Sequence, residues 1–265
     1  MKNKIIISIT IIVLFSATFG ISIPSAIAQG YALFNLESKK VNNNITIDGI
    51  YDTEEWGEVD MESFTLYGHN NPTTNQRVIE VASVYNDTTL FLWVTLDEPD
   101  TEYGTFILIF QSTNEPIVIN HSIPTFSEGN DAKVIYSDNL TWDGVIGSSS
   151  GANSDVSEGG TNDSDAKCVT RSGGFDFEMA ITLNSGDTNG GDVSLLPGDS
   201  INMFPSYVNF AENGEYALIH TVDDWWEQIL VKLAEPSIPS YSIPILLFSM
   251  LAVCTILIFK NKQQF

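Results

Sequence analysis

Residues 77–97 read RVIEVASVYNDTTLFLWVTLD, a pattern that suits a β-hairpin and little else. Val78, Glu80, Ala82 and Val84 fall on one side of an extended chain, and Ile79, Val81, Ser83 and Tyr85 on the other. Asn86-Asp87 supplies the turn, and a β-branched and aromatic run returns over 90–96. The same texture recurs at 31–36, 63–67, 105–110, 133–136, 175–183, 200–210, 216–222 and 229–233, with Gly, Asn, Asp and Pro clusters between the runs. About ten short strands punctuated in this way predict an all-β fold, an antiparallel β-sandwich of the jelly-roll or immunoglobulin-like kind. Between the two ends of the chain no stretch sustains a long 3.6-residue apolar period, although 52–56 (DTEEW) suits one helical turn. Trp56 and Trp93 are expected in the core, because so large an apolar surface packs inward.

The ends set the expected compartment. Lys2 and Lys4 precede an apolar run, and Ala26-Ile27-Ala28 offers small residues for cleavage, so 1–28 reads as a secretory signal peptide, with an uncleaved anchor as the alternative. Residues 29–234 form one ectodomain, and 235–242 (EPSIPSYS) a Pro/Ser linker. Residues 243–259 carry no charge and reach about 25 Å as a helix, enough for a short transmembrane span; a buried core helix is the alternative. Lys260 and Lys262 mark 260–265 as a cytoplasmic tail. The expectation is therefore a single-pass protein of the cell membrane with its ectodomain outside. All 34 acidic residues lie between the two apolar segments, against seven basic ones there, a field that excludes nucleic acid as a partner and favours cations. Cys168 and Cys254 sit in different compartments, so no intrachain disulfide forms, and Cys168 reads as a buried thiol. Asn-x-Ser/Thr sequons stand at Asn44, Asn86, Asn120, Asn139 and Asn162, with Asn86 best placed for glycosylation on its turn.

Residues 144–165 are polar and Gly/Ser-rich and read as a long loop. Asp155, Glu158, Asn162, Asp163 and Asp165 within it supply the oxygen ligands calcium prefers, so the loop either wraps an ion or is a solvated acidic segment. Asp48, Asp52 and Glu54 form a smaller acidic group of the same type. The chain contains no G-x-S-x-G, H-E-x-x-H or P-loop, and is read as non-enzymatic.

Residues 45–56 (ITIDGIYDTEEW) pass from a β-prone run through an Asp-Gly turn to an acidic pair and a tryptophan. With the 77–97 hairpin, 173–183 (GGFDFEMAITL), 196–199 (LPGD) and 224–226 (DWW), this order resembles family 9 carbohydrate-binding modules and their DOMON-like β-sandwich relatives. The resemblance implies glycan binding, with a sugar clamped between two aromatic rings. It places one ring at Trp225 or Trp226, and the other at Tyr103, the only aromatic in the matching loop 98–104. Stacking on the sugar's C–H face and planar hydrogen bonds to its hydroxyls would hold it. The resemblance also implies structural calcium and, through the haem-binding DOMON-like relatives, a competing b-type haem reading that would draw on His69, His121, His220, Met61, Met179 or Met203. A structural or adhesion protein of the cell envelope is the remaining alternative.

Overall fold

Alternation of β-branched and aromatic residues builds strands across most of the described residues. The computed structural model describes residues 32–68, 76–98, 104–111, 118–120, 123–125, 129–146, 152–186, 192–209, 214–217, 219–220, 225–226 and 228–235. In chain order the strands are β1 (Ala32–Lys40), β2 (Glu62–Gly68), β3 (Gln76–Tyr85), β4 (Thr89–Asp97), β5 (Gly104–Phe110), β6 (Val118–Asn120), β7 (Ile123–Thr125), β8 (Asp131–Tyr136) and β9 (Thr141–Ile146). There follow β10 (Ala152–Ser154), β11 (Ser164–Arg171), β12 (Gly174–Thr182), β13 (Ser200–Asn209), β14 (Gly214–Ala217), β15 (Ile219–His220), β16 (Trp225–Trp226) and β17 (Gln228–Leu233). The two helices described are single turns, Thr53–Trp56 and Asp155–Glu158.

The main hydrogen-bonded path runs β10-β9-β8-β5-β13-β14-β2-β3-β4-β12-β11. It folds back on itself. Phe106 of β5 stacks on Phe177 of β12 at 5.1 Å between ring centroids, and Tyr207 of β13 meets Phe175 of β12 at 6.3 Å. Neither pair belongs to neighbouring strands, so both contacts cross between two layers packed face to face. Leu66, Ile79, Val81, Leu92, Val94 and Leu96 fill the space from one layer; Leu108, Phe110, Met203, Ile229 and Val231 fill it from the other.

The predicted hairpin forms with Val81 opposite Val94 and Tyr85 opposite Leu90. Its turn is held by the Asn86 side chain, whose Oδ1 accepts from the backbone N–H groups of Thr88 and Thr89, each at 2.9 Å. Two expectations need correction. The sandwich is not wholly antiparallel, because β1 runs parallel to both β17 and β3 and ties the layers at that edge. Nor is 144–165 one long loop: β9 runs on to Ile146, β10 pairs with it, and β11 begins at Ser164. β10 escapes an apolar count because it is placed by backbone pairing with β9, and β9 and β11 escape it because Asp143, Gly144, Ala166 and Cys168 fill buried positions with polar or small residues.

The signal-peptide, linker and transmembrane expectations fall on 1–28, on 235–242 (of which only Glu235 is described) and on 243–259, and so lie essentially outside the described residues. Among the described residues no helix is long and apolar enough to cross a membrane.

Candidate functional site

The outer face of the β2-β3-β4-β12-β11 layer is half covered. Residues 41–60 lie across it as a strap, burying Ile45 and Trp56 on Ala82, Val84, Phe91 and Trp93. Tyr51, Trp56 and Trp93 meet ring to ring, with centroids 5.5 to 6.3 Å apart. Buried Glu178 on β12 anchors the strap: its carboxylate accepts from the backbone N–H of Asp48 (2.9 Å) and of Gly49 (2.8 Å) and from Trp56 Nε1 (3.1 Å). Burial raises the Glu178 pKa, and these three donors oppose the rise. Gly49 has φ +80°, and a Cβ there would stand 2.5 Å from Val169 Cγ2, so the turn needs glycine to lie this close to β11. The helical turn that follows is capped by the Asp52 carboxylate, which accepts from Glu54 N at 2.7 Å. Asp48 Oδ1 accepts from Ile50 N at 2.9 Å, so the Asp48 and Asp52 side chains shape and cap the turn, to which Glu54 brings its backbone N–H.

The uncovered half of the same face is a groove of about 500 Å³, lined by Met61, Val78, Glu80, Trp93, Thr95, Asp97, Arg171 and Asp176. Pairing register sets its polar row, because Thr95 stands between Glu80 of β3 and Asp176 of β12. The Arg171 side chain is pinned over this row. Nε donates to Asp176 Oδ1 at 3.1 Å, and Nη2 donates to Thr95 Oγ1 at 2.8 Å, to Asp97 Oδ1 at 2.7 Å and to the Leu96 carbonyl at 3.3 Å. Gly174 makes room for this arrangement, since a Cβ there would meet the Leu96 carbonyl at 2.0 Å and the Arg171 guanidinium at 3.0 Å. Met61 and Val78 are exposed at the groove, although both are apolar. The result is a fixed guanidinium with three carboxylates and a hydroxyl, beside an apolar surface.

A second polar centre lies under β8 and β9. Lys133 is fully buried, and its Nζ donates to Asp143 Oδ1 at 2.6 Å and to Asp163 Oδ1. Asp131 Oδ1 stands at 3.0 Å and Asp192 Oδ1 at 3.9 Å. Asp143 Oδ2 accepts from Asp163 N at 2.9 Å and from Ser164 Oγ at 3.3 Å. Burial pushes the Asp131 carboxyl up to about 8 and the Asp163 carboxyl up to about 7. Burial also works against the Lys133 charge, but Asp131, Asp143 and Asp163 outweigh it and hold the ammonium above the ordinary lysine range.

The residues singled out from sequence fall unevenly on this map. Tyr103 lies outside the described residues. Trp225 and Trp226 form β16, paired with His220 and Ile219 respectively, and only their backbone is described. Of the proposed calcium ligands, Asp155 is buried in its helical turn, Glu158, Asn162 and Asp165 are exposed, and Asp163 turns inward to Lys133. Among the described residues the acidic oxygens that converge belong to Asp131, Asp143 and Asp192, a set that the loop's composition does not point to. Of the haem candidates, Met179 and Met203 are buried between the layers and Met61 lines the groove. His69 and His121 lie outside the described residues, and His220 is described in backbone only. Cys168 is buried, as expected, and burial pushes its thiol up to about 12. Of the sequons, Asn44, Asn139 and Asn162 are exposed, Asn86 is half-buried on its turn and Asn120 is described in backbone only, while Asn139 also accepts from Cys168 N at 2.8 Å.

The Arg171 groove was missed at the sequence level. Its components are spread over 61–176, and the available signal was the outward set Val78, Glu80 and Thr95, Asp97 within the hairpin.

No family model and no curated protein matches this chain. Among solved structures it is similar to a family 9 carbohydrate-binding module from Caldicellulosiruptor kristjanssonii in complex with cellotriose, at 11% identity and a TM-score of 0.49, covering 78% of this chain and 96% of that one. It is also similar to a family 9 module from the same organism in complex with glucose, at 12% identity and a TM-score of 0.48, covering 76% and 97%.

Proposed function

We propose that the protein is a non-catalytic binding module for a neutral glycan, displayed outside the cell on a C-terminal membrane anchor. The observation that carries this reading is the Arg171 groove. A sugar presents hydroxyls that both donate and accept, and a C–H face that seeks apolar cover. Glu80, Asp97 and Asp176 accept, Arg171 donates, and the exposed Met61 and Val78 give apolar contact. Because Arg171 already has two carboxylate partners, the groove's charge is net negative, which disfavours uronic or sialic acids and selects neutral sugars. Trp225, Trp226 and Tyr103 belong to this reading as a stacking platform for the chain of sugar units.

The test is a titration of the protein against neutral and acidic oligosaccharides, with Arg171→Ala and the Trp225→Ala, Trp226→Ala pair as comparators. Binding of a neutral oligosaccharide that weakens in Arg171→Ala supports the groove. Binding lost only in the tryptophan pair would move the site to β16. If no oligosaccharide binds the wild type, the reading is wrong.

A further inference from the structure

The centre around Lys133 is not used by the groove, and its polar groups do not balance. Four carboxylates from four separate parts of the chain surround one ammonium, leaving three negative charges without a counter-charge when all are ionised. Asp131 and Lys133 come from β8 and Asp143 from β9, directly opposite Lys133 in the register. Asp163 precedes β11, and Asp192 lies on the link between β12 and β13. The side chains of Asp131, Asp143 and Asp192 are only 1 to 2% exposed, so water does not compensate them.

Hydrogen bonding satisfies Asp143 but not the others. Both carboxylate oxygens of Asp131, both of Asp192 and Oδ2 of Asp163 are buried without a hydrogen-bond partner. Asp131 reaches Nζ at ion-pair distance without hydrogen-bond geometry, and Asp192 only at 3.9 Å. Asp192 is the telling member, since a carboxylate this deeply buried, with neither oxygen satisfied, is aimed at Asp131 and Asp143. One oxygen from each of the three lies within 4.8 Å of the others. Oxygens bound to one ion at calcium's 2.3–2.6 Å can stand about 5 Å apart, whereas magnesium's 2.0–2.1 Å brings them to about 4 Å.

We propose that Asp131, Asp143 and Asp192 bind a calcium ion beside the Lys133 ammonium, so that the two cations share one buried carboxylate cage. Lys133 keeps its contacts with Asp143 and Asp163, calcium takes the orphaned oxygens of Asp131 and Asp192, and the Asp143 carboxylate is shared between the two cations. Together they reduce the uncompensated charge from three to one. The ion fastens the β8–β9 edge to the β12–β13 link, and Lys133 holds the entry of β11 through Asp163, a cross-link that the chain's cysteines do not provide.

The full chain, stripped with EDTA, is to be titrated with calcium and with magnesium while bound metal and the unfolding midpoint are measured. The expected result is one calcium ion per chain and a rise of roughly 5 °C or more at saturation, with a weaker response to magnesium. Asp192→Ala should lose the calcium response without a lower cation-free midpoint, because it removes an uncompensated charge. A wild type that takes up no stoichiometric calcium overturns the proposal, as does a full calcium response in Asp192→Ala. So does an intact mass lower than the sequence by one water. That loss would mean that Lys133 Nζ has formed an amide with a neighbouring aspartate carboxyl, expelling water, and that the centre is a covalent cross-link.

Discussion

Glu178 shows how much one side chain can organise. It lies in a strand where alternation alone would place an outward, solvated acid, yet it is fully buried and accepts three hydrogen bonds from the strap. Glu178→Gln keeps the shape but turns an N–H₂ toward one or more of those donors. It should cost about 1–3 kcal/mol, read as a lower urea midpoint with an unchanged slope. Unchanged stability would show that the strap is held by its apolar contacts alone. Cys168 gives a second prediction at this scale. Its buried thiol, pushed up to about 12, should resist alkylation in the native protein at pH 8 and react once the chain is unfolded in urea. Labelling of the native state at the rate of a free thiol would contradict the packing of β11 on β12.

At the scale of elements, the strap decides which part of the outer face stays open. Its turn depends on Gly49, whose positive φ and close approach to Val169 leave no space for a side chain. Gly49→Ala should destabilise the protein by about 1–3 kcal/mol and increase the exposure of Trp56, seen as a red shift in fluorescence; a native-like spectrum and midpoint would contradict this. The elements also show what the sequence makes legible. The β3–β4 hairpin could be read directly, because its core face alternates and Asn86 marks its turn. The helical turn at 53–56 and the burial of Trp56 were legible for the same kind of local reason. The β9–β11 region was not. Its Gly and Ser residues carry little apolar signal, and β10 owes its place to backbone pairing with β9. The parallel position of β1 was equally hidden, since side-chain alternation is the same in parallel and antiparallel strands. The site divides along this line too. Asp163 was legible as an acid in a polar loop, but its partner Lys133 and the orphaned Asp192 meet only through tertiary pairing.

For the whole molecule, an acidic two-layer β-fold presents a groove with a fixed cation among carboxylates, next to a strap that locks half of the same face. On the proposed reading, such a surface orients a neutral polyhydroxylated ligand. The guanidinium is held by two carboxylates before any ligand arrives, so little order is lost on binding. Its removal should therefore weaken binding by about tenfold to a hundredfold, the loss expected for hydrogen bonds to a charged group. The most direct measurement is calorimetric titration of wild type and Arg171→Ala with the same neutral oligosaccharide, after equal unfolding midpoints have been confirmed for both. Saturable binding by the wild type and a loss of that size in the variant are expected. Equal affinity in the two proteins, or heat with an acidic oligosaccharide but none with a neutral one, would contradict it.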